Sequence, residues 1–213
     1  DNTIPDNIPD DNVNLTEDDD TPYIPNEPAN IVIDESLMKD LYATVEGDLL
    51  QVEGKIAKHV ASLIVDLKMD RKLSQNPSQV EQILAMRKHI FNNWNYINDP
   101  VRNTDTWRSA SMTLDMVHRG QYSGDCDDYA ILMASFSRQI GLESRFVSGY
   151  DKYDESKGHA WAEFLVPSEQ RNSSILNGED VNKKTSGMWI SLDWFRGSDH
   201  FEYSKDINIY DNL

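Results

Sequence analysis

The chain of 213 residues is long enough for one sizeable domain with its own core, and its formal net charge is −17. This negative charge argues against nucleic acid or an anionic membrane as a partner, because both require clusters of Lys and Arg. The single cysteine excludes an internal disulfide and a cysteine-based zinc or iron–sulfur site, and no apolar run approaches the roughly 18–20 residues of a membrane-spanning helix.

Residues 1–33 are predicted to form a flexible acidic arm. Residues 1–30 contain five of the eight prolines, and the stretch from Asp1 to Met38 holds 11 acidic residues but no Lys or Arg. Such a segment buries too little apolar surface to offset the entropy lost on ordering it. It is either a solvated linker or a spacer that tethers the protein in a bacterial periplasm or at a cell surface.

Residues 34–75 are predicted to form an N-terminal helical segment, for which the sequence suggests no role beyond packing or a wall beside the substrate. Apolar residues recur every three or four positions from Met38 to Leu67, which is the spacing of one buried helix face. Gly47 and Gly54 each cost about 1 kcal/mol relative to Ala inside a helix, so the helix could break at either.

Residues 76–213 are predicted to form the main domain, and its first half is helical. The capping box Ser78-Gln79-Val80-Glu81 indicates the start of a helix that continues to Trp94. A loop is expected next, followed by a short helix from Met112 to His118 and a longer helix from Cys126 to Ile140.

Three β-strands are predicted after the last helix. Their sequences are SRFVSGY (144–150), HAWAEFLV (159–166) and MWISLDW (188–194). The polar stretch Pro167–Gly187 between the last two is long enough to be a surface loop. Helices followed by antiparallel strands are typical of an α+β fold.

Three residues in this domain could carry out thiol chemistry together. Cys126 begins a predicted helix, His159 begins a predicted strand, and Asp193 lies in the last predicted strand. In thiol acyl transfer a thiolate attacks a carbonyl, an imidazole activates the thiol and later delivers its proton, and a carboxylate fixes the imidazole tautomer. A helix N-terminus favours the thiolate, and neighbouring strands can hold His and Asp side by side.

The sequence around these residues resembles the transglutaminase-like superfamily of papain-related thiol enzymes. The blocks GDCDDYAILMASFSRQIGLESRFVSGY, GHAWAEF and WISLDW occur in the order of that family. The resemblance implies a papain-like α+β core, in which the nucleophile helix packs on an antiparallel sheet. It further implies Cys126 as nucleophile, His159 as base and Asp193 as orienting acid. The acids Asp151, Asp154 and Glu163 compete for the last role.

The donors of an oxyanion hole are less clear from the sequence. The backbone N–H of Cys126 is the natural first donor. The indole N–H of Trp107 is a candidate for the second, although packing is the commoner role of such a tryptophan, and Tyr122 is an equally weak candidate.

The aspartates beside Cys126 have two interpretations. In one, Asp125 caps the helix while Asp127 and Asp128 face outward in its first turn. In the other, the carboxylates hold Ca²⁺, which cancels their repulsion of the thiolate. GDCDDYA is similar to the GDCEDYA-type motifs of calcium-dependent periplasmic cysteine proteases in the bacterial transglutaminase-like group, and this similarity implies Asp125 and Asp127 as calcium ligands. No other cofactor is expected.

The predicted function is thiol-dependent acyl transfer on peptide or protein amide bonds. We expect a cysteine peptidase or amidase, with hydrolysis favoured over transglutaminase-type cross-linking, and a monomer that needs no cofactor other than the calcium considered above. The alternative is a non-catalytic binding or scaffolding module that retains the fold. An intact Cys, His and Asp argue against that alternative, because binding alone needs none of the three.

Overall fold

A computed structural model of the protein describes residues 54–99, 107–154, 157–194, 203 and 205–210. The predicted arm and the first part of the predicted helical segment lie outside the described residues. Among the residues that are described, no helix is long and apolar enough to cross a membrane.

The described part of the chain forms four α-helices and seven β-strands. The helices are α1 (Lys55–Met69), α2 (Gln79–Asn92), α3 (Ala110–Asp115) and α4 (Cys126–Gln139). The strands are β1 (Trp94–Tyr96), β2 (Tyr122–Gly124), β3 (Ser144–Tyr150), β4 (Gly158–Leu165), β5 (Val181–Asn182), β6 (Trp189–Ser191) and β7 (Lys205–Tyr210). Helices followed by antiparallel strands confirm the predicted α+β class.

Helix α2 begins where the sequence indicates, and α1 begins directly after Gly54, one of the two glycines at which a break was considered. Gly54, with a φ of 62°, immediately precedes α1, and this positive φ explains a break at glycine. At the start of α2, Ser78 Oγ accepts a hydrogen bond from the Glu81 backbone and Glu81 Oε2 accepts one from the Ser78 backbone. The predicted capping box is therefore confirmed. The apolar face of α1 is buried in the core at Ile56, Val60, Leu63 and Leu67.

A small parallel ribbon between α2 and α4 was not predicted. Helix α2 ends at Asn92 rather than at Trp94, and Trp94 begins β1. Strand β1 pairs with β2 so that Trp94 lies opposite Tyr122 and Tyr96 lies opposite Gly124. The predicted helix end was wrong because the strand is defined by a partner far along the chain, which local periodicity does not reveal.

The main sheet has five antiparallel strands in the order β5-β6-β4-β3-β7. Strands β3 and β4 pair along their whole length, and α4 packs against both. Their residues Phe146, Ala160, Ala162 and Phe164 join the buried core beneath this helix. The sheet thus places the start of α4 and the strand that carries His159 in one compact unit.

The remaining strands differ from the prediction in length and number. The last predicted strand, 188–194, is regular only over β6, so Asp193 lies just beyond its end. The predicted surface loop at 167–187 contains two 3₁₀ turns, Ser168–Gln170 and Ser174–Leu176, and strand β5 at the sheet edge. Strand β7 at the opposite edge was not predicted.

Candidate active site

Cys126 is the first residue of α4, as its sequence context indicates. Strand β2 ends at Gly124, so one residue separates the ribbon from the cysteine's helix. Gly124 has a φ of 153°, and a Cβ at this position would collide with the Asp128 side chain. Cys126 as a whole is half-buried. The tight connection therefore requires glycine and directs the chain from the ribbon straight to Cys126.

His159 and Asp193 form a buried pair on the sheet. His159 Nε2 lies 2.6 Å from Asp193 Oδ2, and the two side chains are 1% and 2% exposed. The imidazole is stacked beside the Trp161 indole at a centroid distance of 6.0 Å, and the Tyr203 ring lies 5.0 Å away. A carboxylate at this distance fixes the ring orientation and stabilises a positive charge on it.

Asp193 is itself held in place through its backbone and through its carboxylate. The Asp193 backbone N–H donates to Ser191 Oγ at 3.1 Å, and the Trp194 backbone N–H donates to Asp193 Oδ1 at 2.7 Å. Trp194 in turn stacks on Tyr96 of β1, with ring centroids 4.6 Å apart. These contacts connect the His159–Asp193 pair to the ribbon that leads to Cys126.

The three acids that competed with Asp193 have other partners. Asp151 accepts hydrogen bonds from the backbone of a turn, and Asp154 forms an ion pair with Lys157 at 3.3 Å. Glu163 is completely buried and forms an ion pair with Arg145 at 2.6 Å. Their roles in the described structure are therefore structural.

The candidates for a second oxyanion donor lie in different surroundings. The Trp107 ring packs edge-on against Phe146 at 4.7 Å and against Tyr210 at 6.1 Å. These contacts show a packing role for the Trp107 ring. The indole N–H stays a candidate for the second oxyanion donor. The Tyr122 hydroxyl lies 2.8 Å from His59 Nε2, so it is directed toward α1.

The surroundings of the three aspartates show that the first interpretation, a capping Asp125 with Asp127 and Asp128 facing outward, was wrong. Asp125 is the N-cap residue of α4, but its side chain makes no capping hydrogen bond. Asp127 and Asp128 do not face outward, because they are only 3% and 1% exposed. Side chains in a first helical turn face solvent only where nothing packs over them, and here the helix start is covered.

These carboxylates form a compact acidic cluster, defined as Asp125, Asp127 and Asp128. One ligand oxygen from each lies within 4.8 Å of the others. Among the described residues, neither Asp125 Oδ1 nor Asp128 Oδ1 has a hydrogen-bond partner. Burial, followed by the charge of Asp125, raises the pKa of Asp128 to about 7. The cluster therefore brings hard oxygen atoms and buried carboxylates together, which fit a cation such as Ca²⁺.

Arg108 is a cation that contacts this cluster directly, and the sequence analysis did not identify it. Its guanidinium forms ion pairs with Asp128 and, at 2.6 Å, with Asp99 Oδ1. Arg108 lies in a segment predicted as a loop, and no pattern in that segment pairs it with an acid on a helix twenty residues later. The guanidinium thus contacts one of the three carboxylates of the cluster, Asp128.

Comparisons with known proteins agree with this arrangement at the level of the family. The sequence profile of the Transglutaminase-like superfamily matches residues 68–194. No curated protein matches the sequence.

Three solved structures show distant similarity. The protein named "Putative Cysteine Protease from Cytophaga hutchinsonii" is 19% identical with a TM-score of 0.37, over 74% of this chain and 46% of that one. LapG of Legionella pneumophila is 19% identical with a TM-score of 0.38, over 78% and 76%. EGTA-treated LapG of the same organism is 21% identical with a TM-score of 0.40, over 72% and 78%. The chain thus spans less than half the length of the Cytophaga protein.

Proposed function

The chain belongs to the transglutaminase-like superfamily, and we propose that it is a thiol-dependent acyl-transfer enzyme that acts on amide bonds of a peptide or protein. The observation that carries this proposal is the buried hydrogen bond of 2.6 Å between His159 and Asp193. His159 lies at the start of β4, a strand against which the Cys126 helix packs. A histidine held in this way is prepared to exchange a proton with a thiol.

In the first half of the proposed reaction, Cys126 becomes acylated. Since Asp193 holds Nε2 of His159, Nδ1 is the ring nitrogen that takes the thiol proton. The thiolate sulfur attacks the carbonyl carbon. The imidazolium that formed when His159 took the thiol proton then donates that proton to the leaving amine. The C–N bond breaks, and a thioester between Cys126 and the acyl group remains.

The second half of the reaction decides between hydrolysis and cross-linking. His159 removes a proton from the incoming nucleophile, which attacks the thioester and releases the Cys126 thiol. Water gives hydrolysis, which we favour, and a primary amine gives a new amide. The backbone N–H of Cys126 would stabilise the oxyanion in both halves, with Trp107 as the proposed second donor.

The proposed activity can be tested on a mixture of peptides in the presence of a primary-amine probe. We expect peptide fragments ending in a new carboxylate, because water reaches the thioester more readily than a dilute amine does. Cys126→Ala should form no product, since it lacks the nucleophile. Products that form equally with wild type and Cys126→Ala would contradict the proposal. Amine adducts as the main product would show that the enzyme cross-links rather than hydrolyses, with Cys126 still as the nucleophile.

We also propose that the acidic cluster holds Ca²⁺. Asp125 and Asp127 are the proposed ligands, and Asp128 supplies a further buried carboxylate beside them. Calcium prefers hard oxygen ligands, and a divalent charge here would offset the repulsion between the carboxylates. Bound calcium would supply charge balance at the helix start, while the chemistry at Cys126 would remain that of the protein's own residues.

Calcium is therefore expected to stabilise the fold against heat. At a calcium concentration of 100 times Kd, a ligand that binds only the folded protein adds about 2.7 kcal/mol to the free energy of unfolding. Melting curves with calcium and with EDTA would measure this gain in wild type and in Asp127→Asn. Asp115→Asn is the matched control, because the Asp115 side chain is 65% exposed on α3. Equal melting temperatures of the wild type in calcium and in EDTA would contradict the proposed calcium site.

We propose that the protein works in a bacterial periplasm or at a cell surface. The acidic arm, at residues 1–33, is the segment that would tether the enzyme in a bacterial envelope. Peptides or proteins of that compartment would then be its substrates.

A further inference from the structure

Helix α1 lies almost entirely before the part of the chain that matches the family profile. The match begins at residue 68, and α1 ends at Met69. Nevertheless α1 contacts the segment that leads to the nucleophile. His59 in α1 lies with its Nε2 2.8 Å from the hydroxyl of Tyr122 in β2. This contact joins the N-terminal helix to the strand that ends two residues before Cys126.

Tyr122 is the first residue of β2 and is 3% exposed. Its backbone N–H donates to Asn93 O at 2.8 Å, and the far end of the strand is fixed where Ile97 N–H donates to Gly124 O at 2.9 Å. From Gly124 the chain turns directly into α4 and Cys126. A shift of Tyr122 would therefore move the start of α4, because no flexible loop lies between them.

The hydrogen bond joins two neutral groups. Burial raises the pKa of Tyr122 to about 12, so its hydroxyl remains protonated. Burial, followed by the charge of His89, lowers the pKa of His59, while Asp66 opposes that shift. A phenol and a neutral imidazole can each donate or accept, so the tautomer of His59 sets the direction of the bond. Such a neutral pair needs no further counter-ion at this site.

The ring of His59 also lies between the nucleophile helix and the ribbon. It is 5.6 Å from the Phe136 ring of α4, and the Tyr122 ring lies edge-on to it at 5.7 Å. Tyr122 is in turn edge-on to His89 of α2 at 6.4 Å. The pair His59–Tyr122 is thus the point at which α1, α2, β2 and α4 meet.

We propose that His59 is a positioning residue for Cys126. It holds Tyr122 in place, and with it strand β2, which leads directly to the thiol at the N-terminus of α4. This inference deepens the proposed function and rests on it. It makes α1 part of the support of the nucleophile, although the family match includes only the last turn of this helix. His59 acts through Tyr122 and does not touch the reacting atoms.

The test compares rates of Cys126 alkylation by iodoacetamide in folded variants, well below the melting temperature of each. Tyr122→Phe removes one buried oxygen and keeps the ring packing, so it is the mildest change. We expect Tyr122→Phe and His59→Phe each to slow alkylation about tenfold, as the loss of one hydrogen bond would. The double variant should be no slower than either single variant, because both remove the same contact.

A conservative replacement separates positioning from mere stability. His59→Gln places an amide near the position of Nε2 and should keep the wild-type rate within about twofold, whatever its melting temperature. Val65→Ala on the exposed face of α1 is the matched control and should leave the rate unchanged. Amide exchange at residues 122–126, measured by mass spectrometry, should be faster in Tyr122→Phe than in wild type.

Two results would overturn the inference in distinguishable ways. If the wild-type thiol reacts faster in the folded than in the unfolded chain, but Tyr122→Phe and His59→Phe react as wild type does, the positioning role is wrong and the proposed function stands. If the wild-type thiol gains no reactivity on folding, the proposed function is wrong, and the positioning role that rests on it is wrong as well.

Discussion

Replacing His159 with alanine is expected to slow the alkylation of Cys126 at near-neutral pH by about 10²-fold or more. The imidazole is the group that takes the thiol proton in the proposed mechanism, and Asp193 holds it in place at 2.6 Å. Without the ring, the thiol keeps its proton, because the negative charge of the neighbouring acidic cluster disfavours a thiolate. Time courses of iodoacetamide labelling, quantified by intact mass, would measure the loss.

A second histidine serves as the control for this prediction. His118 is exposed and lies outside the site, so His118→Ala should react at the wild-type rate. Circular dichroism would show whether each variant remains folded. A folded His159→Ala variant with the wild-type alkylation rate would contradict the assignment of His159 as the base.

Arg145→Met is expected to lower the free energy of unfolding by about 3–5 kcal/mol, because it leaves a buried carboxylate without its cation. Glu163 is completely buried, and Arg145 reaches its Oε2 through Nε at 2.8 Å. The other oxygen, Oε1, accepts from Trp161 Nε1 at 2.9 Å and from Asn182 Nδ2 at 2.8 Å. Urea denaturation would measure the loss.

Two further variants define the origin of this effect. Lys72→Met removes an ion pair with Asp70 whose side chains are 58% and 60% exposed, so it should cost less than about 1 kcal/mol. Arg145→Met combined with Glu163→Leu should recover much of the lost stability, since no unpaired charge remains. If the double variant is as unstable as Arg145→Met alone, packing rather than charge accounts for the loss. The arginine then stabilises mainly through its position 3.9 Å above the Trp189 ring.

The elements that carry the candidate site are the ones with strong local signals in the sequence. Helix α4 has an apolar face and a glycine stop, and strand β3 has the predicted bounds 144–150. The order of Cys126, His159 and Asp193 along the chain places them on a helix start, a strand start and a strand end. Such features are predictable because each depends on neighbours in sequence.

The features that the sequence did not reveal depend on distant partners. Asp127 and Asp128 have the pattern of solvated helix-start acids, but the packing above α4 buries them. Arg108 in a predicted loop is the cation beside Asp128. Strand β1 exists because β2 pairs with it. In each case the deciding contact joins residues far apart in the chain, which periodicity and capping rules do not describe.

The interpretation of Glu163 shows the same limit. The sequence leaves Glu163 as a competitor of Asp193 for the acid beside His159. Strand alternation in fact places Glu163 and His159 on the same face, but Arg145 on the neighbouring strand takes Glu163 as its partner. Asp193 reaches His159 from beyond the end of β6, where the chain has left the regular strand.

The central claim is that folding turns Cys126 into an activated nucleophile, and its alkylation rate in the folded and unfolded chain tests this most directly. The same wild-type protein is labelled with iodoacetamide at near-neutral pH, with and without enough urea to unfold it. We predict that the folded chain reacts at least about tenfold faster, because His159 supplies the base that the unfolded chain lacks. A folded chain that reacts no faster than the unfolded one would contradict the assignment of Cys126 as a catalytic thiol.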